Sequence, residues 1–423
     1  MKKIIAMLLC VTMAATLFSG CGSNPSANPD TQNETSENTE KDTNNSEKEQ
    51  INIWHDGDEA IMDVIASEVN QKLEADGITV KFEKKSGLTD QLKLYGNDES
   101  SGPDMYFYAH DSLGTFVEMG ILAPITEIVG EDVYADMLPM TLEAGTYQGE
   151  QYLLPLYFET LLFMYNKDLW EGEVPTSTEE LYEYMKQHTD SAEGTYAVVN
   201  QHSTAYNVSP IIYGFGGYII KEDATPGLNE EHTKEAIEYN KKFAELQADG
   251  DYNTVTTLFN EGKAAAIIGG PWLVSGIKEA GINLGIKSLA DFILPNGNAL
   301  APFSGIQGIG VMKHAAENKK EVILKVMTAF ADPQVGIALA EKANCAPASA
   351  AAYKEESVSG NEMISAMQKT AETAKPMPNI PQISVMWGPT EALLAAVNKS
   401  DADINTAADQ YQAEAETAIA DMQ

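Results

Sequence analysis

Residues 51–82, INIWHDGDEAIMDVIASEVNQKLEADGITVKF, decide the fold class of this 423-residue chain. The alternation of apolar and polar residues over 51–54 predicts a strand. Apolar residues then recur at helical spacing over about 59–75, and Gly77 lies just beyond them, which predicts an amphipathic helix. Residues 78–82 alternate again as a second strand. A strand, a helix and a strand in this order indicate an α/β fold.

The same pattern continues along the chain, with further strands predicted at 104–108, 152–158, 161–165, 264–268 and 306–312. The strands alternate with helical patterns, so we expect mostly parallel sheets flanked by helices. About 370 residues are more than one typical hydrophobic core accommodates. We therefore predict two lobes joined by strands that cross between them. Ligands in such sheets bind beyond the carboxyl ends of the strands, so the space between the lobes is the expected cleft.

The N-terminus predicts export. Lys2 and Lys3 precede a short apolar segment, and the segment ends in Phe18-Ser19-Gly20-Cys21. This ending resembles the lipobox of bacterial lipoproteins, which implies a signal peptide over 1–20 and a lipid, including a fatty acid such as palmitate, on Cys21. The alternative is an ordinary signal peptide cut near Gly20, with Cys21 unmodified.

Residues 21–50 consist almost entirely of Ser, Asn, Thr, Asp, Glu, Lys and Pro. Such a segment cannot bury enough apolar surface to offset its chain entropy, which predicts a disordered tether. A tether needs an anchor, and stable anchoring requires more than one acyl chain. We therefore expect an extracytoplasmic protein held to the cell membrane through a lipidated Cys21.

The net charge of the chain restricts the ligands and partners that it can bind. The formal net charge is -36, and all 27 basic residues are Lys. This charge disfavours the binding of nucleic acid and anionic lipid, and it favours the binding of neutral or cationic ligands. It also disfavours self-association, so we expect a monomer. Cys345 is the sole cysteine beyond the tether, and its small neighbours indicate a packed residue rather than a nucleophile.

No motif for a catalytic metal, a nucleotide or a nucleophilic serine is found. We therefore expect no enzyme activity, no catalytic residue, no cofactor and no metal. Because the chain has 63 acidic residues, a pair of carboxylates that hydrolyses glycosides stays open as an alternative.

Several bulky aromatic residues stand at strand ends or in Gly/Pro turns, and three acidic residues follow apolar strands. The aromatics are Trp54, Tyr108, Tyr206, Trp272 and Trp387, and the acids are Asp58, Asp111 and Glu159. Aromatic faces stack on the apolar face of a pyranose ring, and carboxylates accept hydroxyl hydrogen bonds. The alternative is that the aromatics belong to the core and the acids cap helices, and for Trp54 we expect the core.

Several stretches of the chain resemble the bacterial maltose/maltodextrin-binding proteins, which serve ABC sugar importers. The stretches are Ile53-Trp54-His55-Asp56-Gly57-Asp58, Gly102-Pro103-Asp104-Met105-Tyr106-Phe107-Tyr108-Ala109-His110-Asp111, Glu159 followed by Tyr165-Asn166-Lys167-Asp168-Leu169, Phe259-Asn260-Glu261-Gly262-Lys263, Gly270-Pro271-Trp272 and Met377-Pro378-Asn379-Ile380-Pro381-Gln382-Ile383-Ser384. The resemblance covers nearly all of residues 51–423. It implies a two-lobe periplasmic-binding-protein-like fold with the ligand cleft between the lobes. Lobe one would be 51–157 plus 309–356, and lobe two 162–303 plus 363–423.

The resemblance also implies the function: capture of malto-oligosaccharides, which are α-1,4-glucans, and delivery to the membrane permease subunits of an ABC importer. The sugar-binding positions would be Asp58, Glu59, Tyr108, Asp111, Glu159, Tyr206, Trp272 and Trp387.

The chain departs from the family pattern within this expected site. Glu59 stands in place of a Lys, Ser112 and Glu391 replace arginines, Thr204 replaces a Glu, and Gly388 replaces an aromatic residue. Gly388 removes a wall at one end of the cleft, which favours longer or branched oligomers over the disaccharide. The departures leave open a different oligosaccharide on the same scaffold. A secreted carbohydrate-active enzyme that uses two of the three acids, and a surface adhesin with an incidental cleft, are further alternatives.

Overall fold

The computed structural model describes residues 49–246 and 250–422, so the predicted signal peptide, Cys21 and residues 21–48 of the predicted tether lie outside the described residues. The predicted end of the tether at residue 50 is wrong, because Glu49 and Gln50 already belong to the first strand and pair with Ile78 and Thr79. The predicted βαβ unit is present as β1 (Glu49–His55), α1 (Glu59–Leu73) and β2 (Ile78–Lys84). The Asp58 carboxylate begins α1 by accepting a hydrogen bond from the Ala60 amide at 2.8 Å, as N-cap residues do.

The apolar face of α1 is buried, as its periodicity requires. A 3-10 turn, Glu74–Asp76, follows α1, and Gly77 ends this turn at a positive φ of 69°, a conformation that costs glycine little. β1 and β2 then pair in parallel, with Ile51 beside Val80. The strand and helix periods of this segment therefore determine its structure locally.

The remaining elements follow in chain order. The strands are β3 (Met105–Ala109), β4 (Leu122–Ala123), β5 (Thr146–Tyr147), β6 (Glu150–Gln151), β7 (Leu153–Thr160), β8 (Leu162–Asn166), β9 (Tyr196–Val199), β10 (Ala264–Gly269), β11 (Leu284–Lys287), β12 (Phe303–Met312), β13 (Ala346–Pro347) and β14 (Lys375–Pro376). The helices are α2 (Leu88–Tyr95), α3 (Leu113–Glu118), α4 (Glu131–Tyr134), α5 (Pro139–Ala144), α6 (Thr178–His188), α7 (Ala205–Phe215), α8 (Glu231–Ala244), α9 (Tyr252–Asn260), α10 (Val274–Glu279), α11 (Lys313–Asn318), α12 (Lys320–Phe330), α13 (Pro333–Ala343), α14 (Glu356–Ser359), α15 (Glu362–Thr370), α16 (Ile383–Ser400) and α17 (Ile404–Ala420).

Within the described residues, no single helix is long and apolar enough to cross a membrane. Within the same residues, α12 and α13 are long and apolar enough only when they are taken together, and this pair is bent by 52°.

The strands form two main sheets. The larger has the order β13-β7-β12-β3-β1-β2, with β4 and β14 beside β12, and the smaller has the order β11-β8-β10-β9. The α/β class is confirmed, but the expectation of mostly parallel sheets is wrong in detail. β1 is parallel to β2 and β3, whereas β12 is antiparallel to β3, β4 and β7, and β8 is antiparallel to β10 and β11. The chain passes from β7 to β8 through a single residue, Leu161, and no helical crossover imposes a parallel arrangement there.

The segment from β7 to β8 carries the chain from the larger sheet into the smaller one. β7 pairs with β12 so that Glu159 lies opposite Gly305. At the point of exit, the Thr160 hydroxyl donates to the Phe303 carbonyl at 2.8 Å. The Ser304 hydroxyl donates to the Glu159 carbonyl at 3.0 Å. These side chains tie the two strands together where they leave the larger sheet.

His110 fixes a second junction beside β12. Its Nδ1 accepts a hydrogen bond from the Ile306 amide at 3.1 Å, and its Nε2 lies 2.8 Å from the Met377 carbonyl oxygen. Because a carbonyl oxygen only accepts, the proton must be on Nε2, and the imidazole is neutral. The ring is fully buried, and this burial lowers its pKa. One side chain therefore joins the turn after β3, the middle of β12 and the segment that precedes α16.

Replacement of His110 tests this junction. Because the pKa of His110 is lowered in the folded state, its contribution to stability is present above the unfolded value of about 6.5 and is lost as the pH falls below it. We expect His110→Ala to leave two buried backbone groups unpaired, at ~1–3 kcal/mol each. We expect His110→Asn, whose amide oxygen can still accept from Ile306, to lose less and to flatten the decline in stability between about pH 7 and pH 5.

Urea unfolding at a series of pH values measures both effects. His232→Asn is the matched control, because the His232 side chain is 57% exposed, and it should leave the pH profile of the wild type unchanged. The interpretation is wrong if His110→Asn and the wild type show parallel pH profiles.

Candidate functional site

A cavity of about 520 Å³ brings three of the predicted site residues together. Asp58 comes from the N-terminus of α1, Glu159 from β7, and Trp272 from the 3-10 helix Pro271–Leu273 after β10. The cavity therefore has walls from the layers of both sheets. Its other lining residues are Ile61, Tyr157, Phe158, Pro271, Ser275, Ala343, Asn344, Cys345 and Ala346.

The Glu159 carboxylate is half-buried in this cavity. Burial raises its pKa, and its side chain makes no hydrogen bond within the described residues. The residue opposite it in β12 is Gly305, which has no side chain to cover it. Its acceptor oxygens are consequently available to a ligand that carries hydroxyl groups.

Two further predicted residues, Tyr108 and Asp111, lie at the carboxyl end of β3, next to the carboxyl end of β1. Burial raises the pKa of Asp56, which follows β1, and the negative charge of Asp111 raises it further. Burial and the same two carboxylates raise the pKa of Tyr108, whose hydroxyl lies 3.4 Å from the Thr89 hydroxyl. Tyr108 and Asp111 thus form an acidic corner with Asp56 and do not line the 520 Å³ cavity.

Three of the five predicted aromatic residues, Tyr206, Trp272 and Trp387, form a cluster with Phe303 at the start of β12. The ring centroids of Tyr206 and Trp272 are 6.2 Å apart, and Tyr206 lies 6.3 Å from Phe303. Trp387, on α16, packs edge-on against Phe303 at 6.2 Å. Trp272 is 42% exposed, so this large apolar face is open to solvent rather than used in the core.

Three predictions at the start of the chain have different outcomes. Trp54 is 5% exposed and packs against Tyr95, so the core interpretation is confirmed. Asp58 caps α1, so the capping interpretation is confirmed, and the residue also lines the cavity, where its binding role stays a prediction. Glu59 is exposed, and its Oε2 lies 3.7 Å from His55 Nε2.

The cavity contains residues that the sequence reasoning did not select. Tyr157 precedes Glu159 by two positions on β7, and strand alternation places both on the same face. That spacing was the available signal. Cys345 is buried, and burial together with the Glu159 and Asp58 carboxylates raises its pKa to about 12. The thiol is thus protonated at neutral pH, as a packed cysteine should be.

A second cavity, of about 790 Å³, lies among residues 143–146, Tyr213–Asp223 and 375–380. None of the predicted site residues lines it. Across residues 49–246 and 250–422, no group of three or more His, Cys, Asp or Glu side chains is arranged to hold a metal ion.

Comparison with protein families identifies residues 68–366 as matching the bacterial extracellular solute-binding protein model. The maltotriose-binding protein of Pyrococcus abyssi is 29% identical over 86% of this chain and 81% of its own. The maltodextrin-binding protein MdxE of Bacillus subtilis is 30% identical over 78% and 83%. The galactooligosaccharide-binding protein of Bacillus subtilis is 28% identical over 97% and 95%.

The fold is also found among solved structures. A cyclo/maltodextrin-binding protein complexed with maltotetraose superposes with a TM-score of 0.79 at 24% identity, over 86% of this chain and 96% of that chain. The expected two-lobe fold is therefore confirmed.

The Glu159 carboxylate provides a test of how the site affects stability. Because the pKa of Glu159 is raised by folding, the ionised form is disfavoured in the native state, and this cost applies above the unfolded pKa of about 4.3. We expect Glu159→Gln to raise the unfolding free energy of the ligand-free protein at pH 7, with a gain that shrinks as the pH falls toward 4. Thermal unfolding across this range measures it.

The exposed Glu99 gives the matched control, and Glu99→Gln should not change the melting temperature by more than about 1 °C. A Glu159→Gln variant that is less stable than the wild type at pH 7 would contradict the assignment of an unpaired, half-buried carboxylate.

Proposed function

This chain belongs to the family of bacterial extracellular solute-binding proteins, and from that premise we propose that it captures malto-oligosaccharides and delivers them to an ABC importer. The observation that carries the proposal is the cavity in which the exposed face of Trp272 and the unpaired carboxylate of Glu159 line the same space. An aromatic face and a hydroxyl acceptor across one gap suit a pyranose, which has an apolar face and a polar edge.

Each predicted residue has a role in this proposal. The aromatic residues stack on sugar rings, which contributes about 0.5–1.5 kcal/mol for each contact; they are Tyr108, Tyr206, Trp272 and Trp387. The carboxylates accept hydroxyl hydrogen bonds, with Asp58 and Glu159 in the cavity and Asp111 in the acidic corner beside Tyr108. Glu59 contributes from the exposed first turn of α1.

The lobe boundaries stay a proposal: 51–157 plus 309–356 for lobe one, and 162–303 plus 363–423 for lobe two. The division into two main sheets supports them, as does the passage of the chain from β7 into β8 at Leu161. The ligand would then bind between the lobes.

A different oligosaccharide on the same scaffold is the second candidate. It is favoured by the similarity to the galactooligosaccharide-binding protein over 97% of this chain. The departures at Glu59, Ser112, Thr204 and Gly388 also favour it, because they alter the expected site. At Gly388 an added Cβ would meet no atom within 4 Å, so the chain leaves open space next to Trp387.

A thermal shift of residues 51–423 against a sugar panel tests the choice between these ligands. The panel contains maltose, maltotriose, maltopentaose, maltoheptaose, a branched glucosyl-maltotriosyl-maltotriose, galactotriose, raffinose, cellotetraose and xylotetraose. A ligand at a hundred times its dissociation constant adds about 2.7 kcal/mol of stability. We expect only the α-glucans to stabilise the protein, with maltopentaose more effective than maltose because of the open space at Gly388.

Two controls accompany the panel. Trp272→Ala should abolish most of the shift, and Tyr252→Ala, at another exposed aromatic residue, should not. Incubation with maltoheptaose should give no shorter products, since we propose a binding protein without catalysis.

Stabilisation by galactotriose alone would replace the maltodextrin proposal with the second candidate, and stabilisation by no sugar would favour the adhesin.

We further propose that Cys21 is lipidated and holds the protein on the outer face of the cell membrane, as a monomer next to the permease subunits. The match to the extracellular solute-binding family supports the location. In a host that makes lipoproteins, Cys21→Ser should move the protein from the membrane fraction into the medium, while a Cys10→Ser control should not. Equal membrane retention of both variants would refute the anchor.

A further inference from the structure

Tyr157 lies on the wall of the 520 Å³ cavity that β7 provides. The side chain is 5% exposed, and its ring packs against Phe107 with centroids 6.0 Å apart and planes tilted by 31°. The position of the ring is therefore fixed by the core of the larger sheet. Its hydroxyl makes no hydrogen bond within the described residues, although the residue lines the cavity together with Glu159.

The surroundings of this phenol are acidic. Burial raises its pKa well above the usual range, and the negative charges of Glu159, Asp58 and Asp56 raise it further. Tyr157 is therefore a neutral O–H donor throughout the physiological pH range. Its position beside carboxylates, which at neutral pH only accept, makes it complementary to them.

A sugar hydroxyl both donates and accepts, so a cleft that offers carboxylates alone leaves the oxygen lone pairs of the ligand without donors. The chain contains no Arg, and no Lys is among the residues that line the cavity. The donors on these walls must be neutral groups. Among them, Tyr157 has its ring held by the core, while Trp272 is 42% exposed.

We propose that Tyr157 is a specificity-determining residue, whose hydroxyl donates to an oxygen atom of a neutral oligosaccharide while Glu159 accepts from a neighbouring hydroxyl. This inference rests on the proposed function and deepens it. It implies that the cleft recognises uncharged sugars through a donor and acceptor pair on one strand face, without a cation.

Isothermal titration of maltotriose and maltopentaose into the wild type and Tyr157→Phe tests the inference. Loss of one hydrogen bond contributes about 0.5–1.5 kcal/mol, which corresponds to a loss of about three- to tenfold in affinity. We expect that loss with no more than about 1 °C of change in the melting temperature of the ligand-free protein, because the ring is kept. For each sugar, the ratio of the dissociation constant of Tyr157→Phe to that of the wild type should be the same in 0.05 M and 0.5 M NaCl, because the lost hydrogen bond comes from a neutral donor.

Tyr106→Phe is the matched control, because the Tyr106 hydroxyl is buried without a partner and Tyr106 does not line the cavity. It should bind as the wild type does. Equal affinities of Tyr157→Phe and the wild type would overturn the inference alone. Failure of the wild type to bind any neutral oligosaccharide of the panel would overturn the proposed function, and this inference with it.

Discussion

The antiparallel pairing of β7 with β12 is the constraint on which the rest of the structure depends. It places Tyr157 and Glu159 on one strand face, with Gly305 opposite Glu159. At the end of β7, one residue, Leu161, separates this strand from β8 of the smaller sheet. Hydrogen bonds from Thr160 and Ser304 hold β7 and β12 together at that point. Because the cavity opens beside this junction, a shift in register would move its acidic wall away from Trp272.

The electrostatics of the site follow from the burial of its carboxylates. Glu159 and Asp56 have pKa values that burial raises, so folding leaves them less favourably solvated than in the unfolded chain. The apolar cores of the two sheets offset this cost. A polar group that lacks a partner in the free protein is one that a ligand can satisfy, so the same feature that lowers stability makes binding selective.

Much of this architecture could be predicted from the sequence because its signals are local. The periodicity of residues 51–82 gives the βαβ unit, and the change of period gives the ends of its elements. The mixed pairing could not be predicted, because it depends on contacts between β7 and β12, nearly 150 positions apart. For the same reason the sequence does not indicate the role of Phe303, which arises only when distant strands meet, whereas Tyr157 could be selected from its spacing of two positions from Glu159. The functional assignments of all eight predicted site residues stay predictions.

The two walls of the cavity have different chemistry. The wall from the larger sheet provides Asp58, Tyr157 and Glu159, which are hydrogen-bonding groups, and the wall beside the smaller sheet provides the face of Trp272. A ligand that touches both walls must be apolar on one face and polar along its edge. A flat apolar molecule would leave the carboxylates desolvated and unpaired, and the carboxylates would repel an anion. If the two walls of the cavity exchange between an open and a closed arrangement, a ligand can shift this equilibrium only through the difference in its affinity for the two arrangements. Such a difference is largest for a ligand that needs both walls at once, and a pyranose meets that condition.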